Sequence, residues 1–202
     1  MKHCFKDGES QTILIDKDNE SLNKKCEKKE VSPYKLVWDN SRCYLICGIN
    51  NSKVSKKIEL TNIRVDRMFE IHSECEKLKD GEGPKDPREF PEKSVFCDEN
   101  QNIDYHKYLS SMIKMFPGKP IEMTFKVKKK YKKGIIERFG YDVKFETYKN
   151  DNTYIKAKIL VQESQTFHGW LTGYNPNDIK LIGPPEQVEK YKEYLQGILA
   201  QY

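Results

Sequence analysis

Apolar and polar residues alternate in short runs between Val31 and Met68, and that alternation sets the reading of the first half of the chain. In Ser32–Trp38 (SPYKLVW), Tyr34, Leu36 and Trp38 fall on one face and Lys35 and Val37 on the other. This period of two marks a half-buried strand. Asp39, Asn40 and Ser41 supply turn chemistry, because Asp and Asn tolerate left-handed dihedrals and bond their own backbone. The chain returns as Arg42–Gly48 (RCYLICG), turns at Ile49–Lys53 (INNSK) and runs back through Lys53–Leu60 (KVSKKIEL). Three short strands on tight turns predict a small antiparallel barrel or sandwich. Thr12–Asp16 adds a strand before them, and Phe69–Glu74 a closing strand with Phe69 and Ile71 inward. Asn23–Glu30 is a charged connection between.

The pattern then changes. Lys77–Asn102 holds Gly, Pro and charge without periodicity, the composition of a linker. Ile103–Phe116 recovers helical spacing through Tyr105, Leu109, Met112, Ile113 and Phe116, and Pro117–Gly118 stops it. Beyond it the spacing predicts a strand at Ile121–Val127, a basic amphipathic helix at Lys128–Phe139 and a hairpin of Tyr141–Tyr148 with Thr153–Val161. A short helix at Ser164–Gly173, a strand at Ile179–Ile182 and a helix at Pro184–Tyr202 complete it. The order β-α-β-β-α-β-α describes a ferredoxin-like unit with one added helix. The fold class is therefore α+β: a small antiparallel barrel, a linker and a ferredoxin-like α/β unit. The expected boundaries are 1–76, 77–117 and 118–202.

Composition narrows the function. The 202 residues are 37% hydrophobic and 33% charged, with a net charge of +5, which favours anionic partners weakly. No apolar run has the length of a membrane span, and the first residues hold no secretory apolar core. Six cysteines (Cys4, Cys26, Cys43, Cys47, Cys75, Cys97) form no CxxC pair, so reduced thiols and a cytoplasmic location are expected. Cys43 and Cys47, four residues apart on one strand, stand roughly 13 Å from each other, beyond disulfide reach. His72 and Cys75 have metal-ligand spacing but no second pair to match. His168-Gly169-Trp170 lacks a nucleophile with a partnered base, and there is no phosphate loop or HExxH. No enzyme, cofactor or metal is expected. The most basic run, Lys126–Lys133, places Lys128, Lys129, Lys130, Lys132 and Lys133 around Tyr131. It is read either as a phosphate-tracking patch or as a solvated helix face.

The first half resembles the WYL domain, an Sm-like (SH3-like) barrel found mostly in bacterial transcriptional regulators. The resemblance runs through Ser32-Pro33-Tyr34, Leu36–Trp38, Arg42–Ile46 (RCYLI) in place of the family's Trp-Tyr-Leu, and Ile63–Met68 (IRVDRM). Cys43 replaces the motif Trp, Cys47 stands where Gly is usual, and Lys24–Lys29 replaces the element that commonly precedes the SPY strand. The second half resembles the C-terminal extension of such proteins (WCX) at Glu137–Gly140, Phe167–Tyr174 and Leu181–Leu195. The helix-turn-helix that normally precedes a WYL domain, through which these regulators reach DNA, has no counterpart in residues 1–30.

The resemblance implies a homodimeric, effector-binding part of a transcriptional regulator, or a stand-alone accessory protein. Its ligand would be a single-stranded nucleic acid, a nucleotide-like anion or another small molecule, or a protein partner. By position the matching site residues are Ser32, Tyr34, Tyr44, Arg64 and Arg67. The chemistry is coherent, since arginines fit phosphate oxygens bidentately and aromatic faces stack on bases. Other readings stand beside it. Tyr34 and Tyr44 are equally core side chains, Arg64 an ion-pair partner of Asp66 or Glu59, and Arg67 a cap on the barrel. Dimer contacts are expected from the second half, with Tyr191, Tyr194 and Tyr202 exposed.

Overall fold

The computed structural model describes residues 10–15, 27–50, 58–74, 91, 94–100, 102–149 and 151–202, and its chain divides into two units, Met1–Asn102 and Ile103–Tyr202. The described residues form nine strands in two antiparallel sheets, together with four α-helices.

The first unit is a five-stranded sheet of β1 (Ser10–Ile15), β2 (Glu27–Asp39), β3 (Arg42–Asn50), β4 (Ile58–Arg64) and β5 (Met68–Glu74), in the order β4-β3-β2-β1-β5. The β2–β3 hairpin turns on Asn40 and Ser41, both left-handed at φ 45° and 61°. Two left-handed central residues match the twist of the flanking strands, so a two-residue loop suffices. Strand β2 starts earlier than its charges suggest, because Glu27–Glu30 pair with β1. One turn of 3-10 helix, Val65–Arg67, joins the two edge strands β4 and β5. Val31, Leu45, Cys47 and Ile63 form this unit's core, with Ile49, Val65 and Met68 against it.

Of the face expected to be half-buried on β2, only Tyr34 is so. Trp38 is 76% exposed and Leu36 46%. The pairing of β2 with β3 slips between Pro33 and Lys35. A bulge of this kind breaks the regular alternation that a period-of-two reading assumes.

In the expected linker, most residues lie outside the described ones, but Phe96 is 5% exposed. Asp98 accepts hydrogen bonds from the backbone of Asn100 and Asn102, closing a local turn there.

The second unit opens with α1 (Tyr105–Ser110), capped by the Asp104 side chain, which accepts from Lys107 N. The helix predicted to reach Phe116 ends six residues earlier, and Lys114 and Met115 take left-handed backbone angles that no α-helix accommodates. There follow β6 (Lys119–Lys128), a 3-10 turn at Lys129–Tyr131, α2 (Lys132–Phe139), β7 (Lys144–Thr147) and β8 (Tyr154–Glu163). Then come α3 (Gln165–Thr172), β9 (Ile179–Gly183) and α4 (Pro185–Leu199). The predicted helix Lys128–Phe139 is thus strand end, 3-10 turn and helix in succession. Pro185 suits the first helical position, where its missing N–H costs nothing.

The sheet order is β7-β8-β6-β9. Its core face carries Met123, Phe125 and Val127 from β6, Ile155, Ala157, Ile159 and Val161 from β8, and Ile179 and Leu181 from β9. Ile135 and Phe139 of α2 and Phe167 and Leu171 of α3 pack on it, Phe125 meeting Phe167 edge to face at 6.2 Å. Each such buried side chain contributes about 1.5–3 kcal/mol by leaving water. The alternate residues of the same strands point away from this core. No helix of the described residues is long and apolar enough to cross a membrane.

Candidate functional site

Strand β3 organises four of the five residues matched in the first unit. Its residues Leu45 and Cys47 enter the core, so Tyr44, Ile46 and Gly48 belong to the opposite face. Registers then fix the neighbours on that face: Ser32 pairs with Gly48, and Arg64 pairs with Tyr44. Tyr34 joins them, because a methyl group placed on Gly48 would meet its hydroxyl at 2.2 Å. Glycine is needed there for the ring to lie over the strand. The fold therefore gathers Ser32, Tyr34, Tyr44 and Arg64 on one face, in two groups roughly 13 Å apart along β3.

Their accessibility differs. Ser32 is 6% exposed and Tyr44 9%, so neither offers much surface, while Tyr34 is half-buried. Arg64 is half-buried and holds Asp66 bidentately, Nε to Oδ1 at 3.0 Å and Nη2 to Oδ2 at 2.5 Å. This bond keeps the Asp66 carboxyl below the usual range and raises Arg64. Of the two ion-pair partners open to Arg64 in the sequence, Asp66 is the one bonded here. Arg67 ends the 3-10 turn and is exposed. Arg64 faces Tyr44 across the ladder, and the exposed Arg42 and Lys35 share this face by alternation and register.

The lysine run of the second unit splits between structural and solvated roles. Lys128 pairs with Asp178 at 2.7 Å, whose carboxyl is held low by that bond, and Tyr131 donates to the same carboxylate at 3.1 Å. Lys129 and Lys130 lie exposed in the 3-10 turn. Lys132 and Lys133 open α2, with Lys133 facing Glu137 at 3.5 Å along the helix. The run is not one helix face.

His168 is buried on α3 between the rings of Tyr191 and Tyr194, at 5.8 and 5.2 Å, and its Nε2 has no hydrogen-bond partner. Burial lowers its basicity. Trp170 packs with Phe139, Phe167 and Tyr174 and helps anchor this core. Tyr191 and Tyr194 are thus half-buried against α3 rather than free, and Tyr202 alone of the three is fully exposed. Cys43, Cys47 and Cys97 form no disulfide among the described residues, while Cys4, Cys26, Cys75 and the His72 side chain lie outside them. No cluster of metal ligands occurs among the described residues. Sequence reading missed Gln162, 1% exposed, which accepts from Gly118 N and donates to Tyr108 O and Ser111 Oγ. The only signal for it was a neutral polar residue directly after the apolar run Ile159–Val161.

No protein-family model matches the chain, and no curated protein matches it. Among solved structures, the chain is similar to a CRISPR Cas-related protein at 14% identity and a TM-score of 0.51, covering 96% of this chain and 47% of that one. It also aligns with proteasome accessory factor B/C (PafBC) of Arthrobacter aurescens at 12% identity and a TM-score of 0.38, covering 96% of this chain and 25% of that one. The chain thus spans about half the length of the first and a quarter of the second. The first likeness is one of fold alone, and the second is too distant to bear on it.

Proposed function

We propose that this chain is the effector-sensing portion of a WYL-type transcriptional regulator, binding an anionic, nucleic-acid or nucleotide-like ligand at the Arg64–Arg67 end of its first sheet. In this reading the first unit is an Sm-like barrel. The strand order, with a single 3-10 turn linking the two edge strands, supports it. The second unit is a ferredoxin-like WCX extension, a reading supported by its β-α-β-β-α-β-α order from β6 onward and its fully antiparallel sheet. The protein binds rather than catalyses, and it works as a homodimer in the cytoplasm, since a two-fold operator calls for a two-fold protein.

The observation that carries the reading is the cross-strand pair Tyr44–Arg64 beside the exposed Arg67, which sets two cations at one strand end. The burial of Ser32 and Tyr44 favours, as a second form of the same reading, a small anion such as a nucleotide over a strand whose bases stack on exposed rings. Titration of the full chain with short single-stranded DNA and RNA and with mononucleotides, followed by Arg64→Ala and Arg67→Ala, decides between them. Loss of binding for an oligonucleotide supports the first form, and loss for mononucleotides alone the second. Arginine variants that bind every ligand as tightly as the wild type does overturn both. Light scattering at tens of micromolar, a scale where weak association is visible, tests the dimer.

A further inference from the structure

The outward face of the second unit's sheet carries a row of like charges. Lys156 of β8 stands directly opposite Lys126 of β6, and Lys126 directly opposite Lys180 of β9. Three ammonium-bearing residues thus occupy one line across three neighbouring strands, at the inter-strand spacing of about 4.8 Å. Like charges in directly opposed positions destabilise a sheet, so folding alone gives no reason for the arrangement.

Neighbouring carboxylates offset it only without direct pairing, Glu146 acting on Lys156 and Asp151 on Lys126. Glu146 of β7 is in register with Lys156 but bonds Lys158 instead, at 2.5 Å. Lys126, Lys156 and Lys180 have no carboxylate within ion-pairing distance among the described residues. Lys126 is held by aromatic rings: its Nζ lies 3.8 Å from the centre of the Tyr154 ring and 4.9 Å from that of Tyr148. The two tyrosines meet edge to face at 6.3 Å and are half-buried, at the end of the hairpin that carries β7 and β8. A cation seated on rings loses less freedom when an anion arrives, which lowers the cost of binding.

Unpaired cations in line beside two aromatic rings are what a single-stranded polynucleotide requires: charges that follow the backbone and π-surfaces that accept bases without regard to sequence. An acidic protein segment would use the row but has no need of the rings. We propose that this sheet face binds single-stranded nucleic acid, with backbone phosphates along Lys156–Lys126–Lys180 and bases at Tyr148 and Tyr154. All five of these residues belong to the second unit, and none to the Arg64–Arg67 end of the first.

The test is fluorescence anisotropy of the full chain with labelled oligothymidylate and oligouridylate of about 12 nucleotides, within the range a single binding domain covers. The variant K126A/K156A/K180A should bind at least about tenfold more weakly, with a slope of log K against log salt flatter by about 2, from 0.7 per phosphate contact. Because it removes mutual repulsion, the same variant should melt no lower than the wild type. K156Q alone, which leaves the tyrosines and Lys126 in place, should flatten the slope by about 0.7. If K156Q and the triple variant keep the wild-type affinity and slope, the sheet face is not the site. If polyglutamate displaces the oligonucleotide as well as unlabelled oligothymidylate does, the nucleic-acid assignment is overturned in favour of an acidic partner. R64A/R67A separates the two surfaces. Loss of binding there with the triple variant unaffected leaves the proposed function standing and sinks this one, and the reverse pattern does the opposite.

Discussion

Arg64 closes a two-pronged grip on Asp66 two residues further along, and the same arginine is the cross-strand partner of Tyr44. The guanidinium that faces Tyr44 is thus already occupied by an internal carboxylate. An incoming phosphate must compete with that carboxylate for the same guanidinium fork.

Asp66→Asn should therefore tighten anion binding, because it removes the competitor and leaves the fork. A gain of roughly threefold to tenfold is expected for a mononucleotide or short oligonucleotide, and a loss of roughly tenfold for Arg64→Ala. Isothermal titration at fixed salt reads both. Weaker binding by Asp66→Asn would mean that the carboxylate positions Arg64 for the ligand instead of occupying it.

Gln162 ties α1 and the start of β6 to β8, and its side chain is almost wholly buried. Gln162→Leu leaves Gly118 N–H without its buried acceptor and should lower stability by about 1–3 kcal/mol in urea unfolding. Gly118→Ala should cost more, since its Cβ would stand 1.9 Å from the Glu163 carbonyl oxygen, a backbone atom that cannot turn aside. Equal stability for Gly118→Ala and the wild type would show that this strand entrance can shift.

His168 is buried, and that burial holds its pKa below the ordinary value; Glu163 opposes the shift and Lys190 adds to it. A group with a depressed folded pKa, cationic when protonated, takes up its proton more readily in the unfolded chain. Its effect vanishes above the unfolded value of about 6.5 and destabilises the fold as pH falls below it. Melting temperature should decline from pH about 7.5 to about 5 more steeply for the wild type than for His168→Phe. Parallel curves would mean that other groups carry the acid response.

Ser164 caps α3, its hydroxyl accepting from Phe167 N at 3.2 Å. Ser164→Ala should cost about 1 kcal/mol and Ser164→Asp nearly nothing, because either oxygen meets the orphan N–H. Thermal unfolding of the two variants side by side gives the answer.

Much of this architecture was legible in the chain. Period-two alternation located all the strands of the second sheet to within a few residues, because Met123, Phe125 and Val127 face a helical layer that punishes any slip. Ser164 and Gly173 bracket α3 as their chemistry predicts. Failures came where a local irregularity broke the period. The slip between Pro33 and Lys35 splits the expected face, leaving Tyr34 over Gly48 while Leu36 and Trp38 pair with Leu45 and Cys43, and nothing in SPYKLVW announces it. Left-handed Lys114 and Met115 ended a stripe that stays apolar to Phe116, since Met112, Ile113 and Met115 are buried by a turn as readily as by a helix. The lysine row was hidden for a different reason. Lys126, Lys156 and Lys180 are far apart in the chain, and only strand register makes them neighbours.

Strand β1 lies between β2 and β5, bonded to both. Six residues near the beginning of the chain thus screen two backbone ladders at once. A chain trimmed past Ile15 would uncover a pair of unpaired strand edges facing each other across a strand-wide gap, and such edges recruit strands from other molecules. Aggregation, rather than simple loss of stability, is the failure to which this unit is exposed, and a donated strand from a neighbouring copy is its natural repair.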